Sequence, residues 1–96
     1  MLRDMTRFLY LYDCKKAREF NARRVSFTKE LYGYLYSWKT KSGFKQKKKR
    51  GLIDQCLGAE VVTDSAILVP ESCKHLFDNL FASYSDILNA EVFQVV

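Results

Sequence analysis

A run of basic residues in the middle of the chain could bind an anionic partner. Five of the six positions from 45 to 50 carry a positive charge: Lys45, Lys47, Lys48, Lys49 and Arg50. Like charges packed so closely repel one another and oppose folding unless an anion lies against them. The phosphates of a nucleic acid would relieve that repulsion and release condensed counterions. The run therefore predicts a polyanion-binding surface, and a solvated edge that blocks aggregation is the alternative.

Further basic and aromatic residues extend this predicted surface. Aromatic rings stack on unpaired bases, a contact of about 1–3 kcal/mol per base. Leu31 and Leu35 are expected in the core, so Tyr32 and Tyr36 are the better stacking candidates, and Trp38 is expected to be packed. The predicted nucleic-acid-binding residues are Arg23, Arg24, Tyr32, Tyr36, Lys39, Lys41, Lys45, Lys47, Lys48, Lys49 and Arg50.

The segment 38–47 is predicted to form a β-hairpin that turns at Ser42-Gly43, because two alternating segments flank this pair. A two-residue loop at this pair would place Trp38 opposite Lys47. That register mixes apolar and basic side chains on each face of the hairpin.

A three-residue loop over 41–43 gives a different arrangement of the same hairpin. It pairs Lys39 with Lys45 and places Trp38 and Phe44 together on the other face. Because this register separates apolar from basic side chains, it is the preferred prediction.

The charges of the whole chain are strongly segregated. Residues 1–50 hold 15 Lys or Arg and four Asp or Glu, a net charge of +11, whereas residues 51–96 hold one Lys and seven Asp or Glu, a net charge of −6. The leading prediction is a non-enzymatic protein that binds DNA or RNA with low sequence specificity. The alternative is a protein-interaction module or homo-oligomer that uses its basic and acidic halves. The remaining alternative is that the charges of the two halves neutralise each other within the fold.

The cysteines and the histidine do not form a metal-binding pattern. Cys14, Cys56 and Cys73 are widely spaced, and His75 is the only histidine. A structural zinc site uses about four nitrogen or sulfur ligands, usually in close pairs. We therefore expect three free thiols in a reducing cytoplasm, with no metal and no cofactor.

Two further motifs point to chemistry less directly. A metal-dependent nuclease site would require the fold to gather four scattered acidic residues: Asp13, Asp54, Glu60 and Asp64. Their spacing does not require this and no glycine-rich phosphate loop is present, so no catalytic residue is predicted. The segment RRVS, residues 23–26, matches a pattern that basic kinases favour, and a helix cap at Ser26 is the alternative reading.

The hydrophobic pattern predicts a single α+β domain over residues 1–96, with one mainly antiparallel sheet and about two helices packed on one face. The predicted elements are a central strand at 7–13 covered on both sides, a helix at about 27–34, the hairpin, strands at 59–63 and 66–69 joined by a turn at Asp64-Ser65, a helix from Pro70 and a closing strand at 90–96. Residues 14–24 are predicted as a short helix that stops at Asn21 or as a basic loop. The two longer helices are expected to bury apolar stripes, which are Phe27, Leu31, Tyr34 and Leu35 in the first and Cys73, Leu76, Phe77, Leu80 and Phe81 in the second. The last strand, helix and strand are expected to form a βαβ unit. No apolar run approaches the roughly 20 residues of a membrane span, so no membrane association is predicted.

Four short stretches carry a resemblance to a known group of proteins. The stretches KELYGYLYS, SGF, KKRGLID and SAILVPE, within residues 29–96, resemble those of small basic archaeal proteins of uncharacterised activity. That resemblance implies an archaeal cytoplasmic setting. It implies no activity and no catalytic residues.

Overall fold

A four-stranded antiparallel sheet forms the body of the protein. The computed structural model describes residues 6–15 and 21–95. The elements are β1 (Arg7–Cys14), α1 (Asn21–Tyr32), β2 (Gly33–Thr40), β3 (Gly43–Arg50), α2 (Leu52–Gln55), β4 (Glu60–Thr63), β5 (Ala66–Pro70), a 3-10 turn (Glu71–Cys73), α3 (Lys74–Ser83) and β6 (Leu88–Val95). The predicted α+β class is confirmed, and α2 is the one helix that the sequence did not predict. Within the described ranges, no helix is long and apolar enough to cross a membrane.

The strand order of the sheet is β4-β5-β1-β6. Both β5 and β6 pair antiparallel with β1, so they run parallel to each other on its two sides. Because α3 connects them, they form the predicted βαβ unit, with β1 inserted between its strands. The turn at Asp64-Ser65 joins β4 to β5 as expected.

The core lies between this sheet and two helices. Tyr10 and Tyr12 alternate along β1, and their side chains point to the same face. The Tyr10 ring lies 5.2 Å from that of Phe81 on α3, and the Tyr12 ring lies 5.7 Å from that of Phe27 on α1. The helices α1 and α3 therefore both cover one face of the sheet, as predicted.

None of the helices within residues 6–15 and 21–95 lies against the other face of the sheet, so the prediction that both sides of β1 are covered was wrong. Leu9 pairs with Phe93 of β6 and with Leu68 of β5 on this outer face. Leu11 and Phe93 are 38% and 47% exposed. The apolar run in β1 predicted burial on both faces, but the described helices α1 and α3 both lie on the face of Tyr10 and Tyr12.

Helix α1 begins and ends earlier than the predicted span of 27–34. It starts at Asn21, which was expected to stop a helix, and it ends at Tyr32. Gly33 follows with a φ of 81°, a left-handed conformation that commonly terminates helices. Phe27 is buried as predicted, but Leu35 lies in β2 and is exposed.

The third helix also differs from its prediction in detail. Pro70 ends β5, and the 3-10 turn leads into α3, which begins at Lys74. Phe77 is fully buried and Phe81 nearly so, as expected, whereas Leu76 is 42% exposed and was wrongly placed in the core.

The expectation of three free thiols is wrong, because Cys56 and Cys73 form a disulfide with an S–S distance of 2.09 Å. The bridge joins the residue after α2 to the turn before α3. Cys14 remains a free thiol, and burial raises its pKa. The spacing of the cysteines along the chain did not reveal this pair, because only the fold brings the two Cα atoms to 6.3 Å.

The strands β2 and β3 form a separate two-stranded sheet. None of the buried core residues lies between 33 and 50, and all eight residues of β3 are exposed. The Cα radius of gyration is 15.8 Å, compared with about 13 Å for a compact domain of 100 residues. The hairpin is therefore an arm that extends from the body rather than part of the main sheet.

Candidate nucleic-acid interface

The hairpin turns one residue earlier than predicted. Lys41 and Ser42 form a two-residue turn, and Thr40 pairs with Gly43. The Thr40 hydroxyl donates a hydrogen bond of 2.9 Å to the carbonyl oxygen of Gly43, which closes the turn. This register is neither of the two that the sequence suggested.

The observed register changes which side chains share a face. Trp38 lies opposite Lys45 and Lys39 lies opposite Phe44, so the predicted pairing of Lys39 with Lys45 is wrong. Trp38 and Phe44 also lie on opposite faces rather than together. The preference for separating apolar from basic side chains failed because register is strongly specified only where one face is buried, and neither face of this hairpin is.

One face of the hairpin carries three cross-strand pairs of an aromatic residue and a lysine. They are Tyr34 with Lys49, Tyr36 with Lys47, and Trp38 with Lys45. We call these six residues the aromatic–lysine face.

The three rings of this face follow one another along β2. The ring centroids of Tyr34 and Tyr36 are 6.1 Å apart, and those of Tyr36 and Trp38 are 5.7 Å apart with an interplanar angle of 27°. The three residues are between 38% and 43% exposed. Trp38, which was expected to be packed in the core, is therefore part of an open aromatic row.

The lysines of this face have no acidic partner in the part of the chain that the structure describes. The same is true of Lys39 on the reverse face and of Lys41 in the turn. Their positive charges are therefore available to an external anion.

Two cations of the reverse face instead contact the residue that caps α2. The Lys48 ammonium lies 3.4 Å from the Asp54 carboxylate, and Arg50 donates a hydrogen bond to the Asp54 carbonyl oxygen. The Gly51 N–H donates to the same carboxylate and, with Lys48, lowers the pKa of Asp54. Lys48 and Arg50, both predicted to grip phosphates, thus help to fix the base of the hairpin.

Two glycines bring the hairpin base close to α1 and α2. A Cβ atom on Gly33 would lie 2.3 Å from the Lys49 carbonyl oxygen, and one on Gly51 would lie 2.3 Å from the Gly33 nitrogen. Only glycine allows the backbones to approach so closely. This contact sets the point at which the arm leaves the body.

The aromatic–lysine face continues into a cleft at the hairpin base. The cleft has a volume of about 470 Å³, and its lining includes Tyr34 and Lys49 from the hairpin and Lys29 from α1. The Lys29 ammonium lies 4.8 Å from the centre of the Tyr34 ring. Sequence reasoning missed Lys29, Tyr34 and Trp38. The matching two-residue spacing of the aromatics and of the lysines was the signal for the shared face.

Arg23, predicted to extend the basic surface, is engaged within the body of the protein. Its guanidinium forms an ion pair of 2.5 Å with Asp86 and lies 4.6 Å from the centre of the Tyr84 ring. The hydrogen bond between these two side chains raises the pKa of Arg23 and lowers that of Asp86. This pair joins the basic and acidic halves of the chain.

Arg24 and Tyr32 also lie away from the aromatic–lysine face. Arg24 donates a hydrogen bond to the Asn21 side chain, and it lines a second cavity with Tyr32. The Tyr32 hydroxyl lies 2.6 Å from that of Tyr12 in the body. The structure therefore does not bring the N-terminal candidates together with the hairpin.

The scattered acidic residues do not form one cluster. Asp13 and Asp64 line the second cavity, whereas Asp54 caps α2. Among residues 6–15 and 21–95, no three His, Cys, Asp or Glu side chains are arranged to hold a metal ion. Ser26 lies inside α1 rather than at its cap, and its hydroxyl is 2.7 Å from that of Tyr84.

Comparisons with protein-family models, curated proteins and solved structures find no match to this chain. The resemblance to small basic archaeal proteins stays a prediction.

Proposed function

We propose that this protein binds nucleic acid, without catalysis and with low sequence specificity, through its basic hairpin. One observation carries the proposal. Five lysines lie on an exposed arm with no acidic partner among the described residues, namely Lys39, Lys41, Lys45, Lys47 and Lys49.

The electrostatics of the arm support a phosphate-rich partner. An isolated two-stranded hairpin is only marginally stable in water, and clustered positive charge weakens it further. Phosphates placed against the lysines would remove that repulsion, and the release of their counterions would favour binding. Phosphate contacts carry no base information, so affinity is expected to vary little among sequences.

The salt dependence of binding tests this proposal. The triple variant Lys45→Gln/Lys47→Gln/Lys49→Gln removes three charges from the aromatic–lysine face. Because each neutralised phosphate contributes about 0.9 to the slope of log affinity against log salt on duplex DNA, the slope should flatten by about two to three. Electrophoretic binding assays on DNA and RNA at several salt concentrations measure this slope.

The matched control removes the same number of charges elsewhere on the hairpin. Lys39→Gln/Lys41→Gln/Lys48→Gln changes two reverse-face residues and one turn residue, and it should flatten the slope less because Lys48 is already paired with Asp54. If the aromatic–lysine variant binds as tightly as the parent protein with an unchanged slope, the lysines are a solvated edge and the proposal fails.

A cytoplasmic and archaeal setting belongs to the same proposal. Disulfides are rare in cytosolic proteins, but intracellular proteins of hyperthermophilic archaea are an exception. The Cys56–Cys73 bridge is compatible with that exception. A count of blocked and free thiols in rapidly alkylated cell extracts tests whether the bridge exists in the cell.

The uncovered face of the main sheet favours self-association as a second candidate function. Leu9, Leu11, Leu68 and Phe93 form an apolar surface there, and such surfaces often mark protein interfaces. Arg23 and Asp86 already pair with each other within one chain. The contact between two copies of the protein would therefore be made mainly by the apolar side chains, and it should survive high salt. Light scattering at low and high salt, with Phe93→Lys as the disrupting variant, tests it. A monomer under both conditions would exclude it.

A further inference from the structure

We infer that the aromatic–lysine face binds unpaired polynucleotide strands, with bases stacked on Tyr34, Tyr36 and Trp38 and phosphates held by the facing lysines. This inference rests on the proposed function and names its substrate class. Three observations carry it: the shared face, the spacing of the rings and the open cleft at one end.

The pairing of residues puts both halves of a nucleotide within reach. Opposite residues in antiparallel strands have Cβ atoms about 4.5–5.5 Å apart. Each ring therefore has an ammonium group on the neighbouring strand, as in the pair of Trp38 and Lys45. A nucleotide whose base lies on a ring can place its phosphate against the facing lysine.

The spacing of the three aromatic rings favours the binding of single strands over the binding of duplexes. Successive bases along one strand of duplex DNA rise by about 3.4 Å, whereas successive rings are 6.1 and 5.7 Å apart. A strand that stacks one base on each ring must therefore open its own base stack. An unpaired strand can do so locally, but a duplex would have to give up its base pairs as well.

The aromatic rings of this face are partly exposed and can contact a ligand. Tyr36 and Trp38 are 41% and 43% exposed, and lysines rather than apolar side chains lie opposite them. A two-stranded β-ribbon can also enter the major groove of a duplex. The aromatic rings of the hairpin would find no unpaired base to stack on there. Phosphates alone would contact only the lysines of this face, whereas unpaired bases would also contact the row of aromatic rings.

The cleft at the hairpin base extends the proposed strand-binding surface beyond the aromatic–lysine face. Lys29 lies over Tyr34 at the open end of the aromatic row, and Lys49 lines the same cleft. A strand that leaves Tyr34 therefore meets Lys29 of α1, while the Glu30 carboxylate in the same cleft accepts a hydrogen bond from Tyr84.

The experiment titrates the full chain with a single strand of about 12 nucleotides, as DNA and as RNA, and with a duplex of the same sequence. Trp38 is the only tryptophan, so stacking is read as a change in its fluorescence, while anisotropy of a labelled oligonucleotide gives the affinity. We expect both single strands to bind about tenfold or more tightly than the duplex and to change the fluorescence of Trp38.

Two variants separate stacking from charge. Tyr36→Ala should weaken single-strand binding about fivefold or more while leaving the salt slope unchanged. Phe44→Ala, an exposed aromatic on the reverse face, is the matched control and should bind as the parent does. Tyr36→Phe keeps the ring and should retain affinity, whereas Tyr36→Leu keeps apolar bulk and should lose it. The last two variants decide the question if alanine disturbs the hairpin.

The outcomes distinguish this inference from the proposed function. Equal affinity for duplex and single strands, with no effect of Tyr36→Leu, overturns the stacking inference and leaves salt-dependent phosphate binding intact. An absence of salt-dependent binding to every oligonucleotide overturns both. Loss of binding in Phe44→Ala but not in Tyr36→Leu would move the contact to the reverse face and also overturn the inference.

Discussion

Two adjacent residues on α3 show how the position of a single side chain decides its contribution to stability. Phe77 is fully buried, with its ring centroid 6.0 Å from that of Tyr10, whereas Leu76 is 42% exposed. Phe77→Ala should lower the free energy of unfolding by about 3–5 kcal/mol, because it leaves a cavity between helix and sheet.

Leu76→Ala is the matched control and should cost less than about 1 kcal/mol. Urea unfolding followed by far-ultraviolet circular dichroism is the appropriate measurement, because Trp38 lies on the arm and does not report on the core. Similar costs for both variants would mean that α3 is rotated relative to the sheet.

Asp78 makes stability depend on pH at the residue scale. Burial alone would raise the pKa of this carboxyl, but hydrogen bonds from Lys74 and Tyr10, both 2.6 Å long, outweigh that effect and lower it. A carboxyl whose pKa is lower in the folded state stabilises the fold above its unfolded pKa of about 3.9. That stabilisation is lost as the pH falls through the folded pKa.

The predicted result is that Asp78→Asn is less stable than the parent at pH 6 and that the difference shrinks toward pH 2. Urea midpoints at a series of pH values measure it. Glu60→Gln, which removes an exposed carboxylate from β4, is the control for the loss of one negative charge. A constant difference for Asp78→Asn across this range would contradict the assignment.

At the scale of elements, the disulfide holds the short helix α2 to the body. It joins cysteines 17 residues apart in sequence, and closing a loop of about this length stabilises a fold by about 3 kcal/mol. The double variant Cys56→Ser/Cys73→Ser should therefore unfold at a lower urea concentration than the parent, by about that free energy.

Cys14→Ser is the control, since it removes the free thiol and should leave the stability nearly unchanged. Thiol titration of the denatured, unreduced protein should find one reactive cysteine of the three in the chain. Three reactive thiols would show that the bridge does not form in solution.

At the scale of the whole molecule, the body and the arm should be separable. All buried core residues lie outside the hairpin, and Tyr34 and Lys49 are cross-strand partners near its base. Replacing residues 35–48 with a two-residue Asn-Gly turn should leave a folded body. Its urea midpoint should stay close to that of the parent.

Small-angle X-ray scattering measures the overall size of the same variant. Its radius of gyration should fall from 15.8 Å toward the roughly 13 Å of a compact domain. The proposed nucleic-acid binding should be lost at the same time. If the shortened chain unfolds, the arm is part of the folding unit and the division is wrong.

The sequence by itself determined the order of the strands and of the two longer helices, and it identified part of the core. The spacing of Phe77 and Phe81 indicates one buried helical stripe, and the turn at Asp64-Ser65 separates β4 from β5. These features are local, because helix and strand periodicity and turn chemistry depend on residues close in the chain. The lysines of the hairpin were also found as a candidate site, since their density is visible without a fold.

Only the tertiary structure decided how those lysines are arranged and which neighbours they have. A shift of one residue in the hairpin moves every side chain to the other face, so Trp38 meets Lys45 rather than Gln46. The capture of Arg23 by Asp86 and the pairing of Cys56 with Cys73 depend on segments brought together from distant parts of the sequence. Such contacts follow from the packing of whole elements, which no local pattern specifies, and they separate the residues of the candidate interface from those that hold the body together.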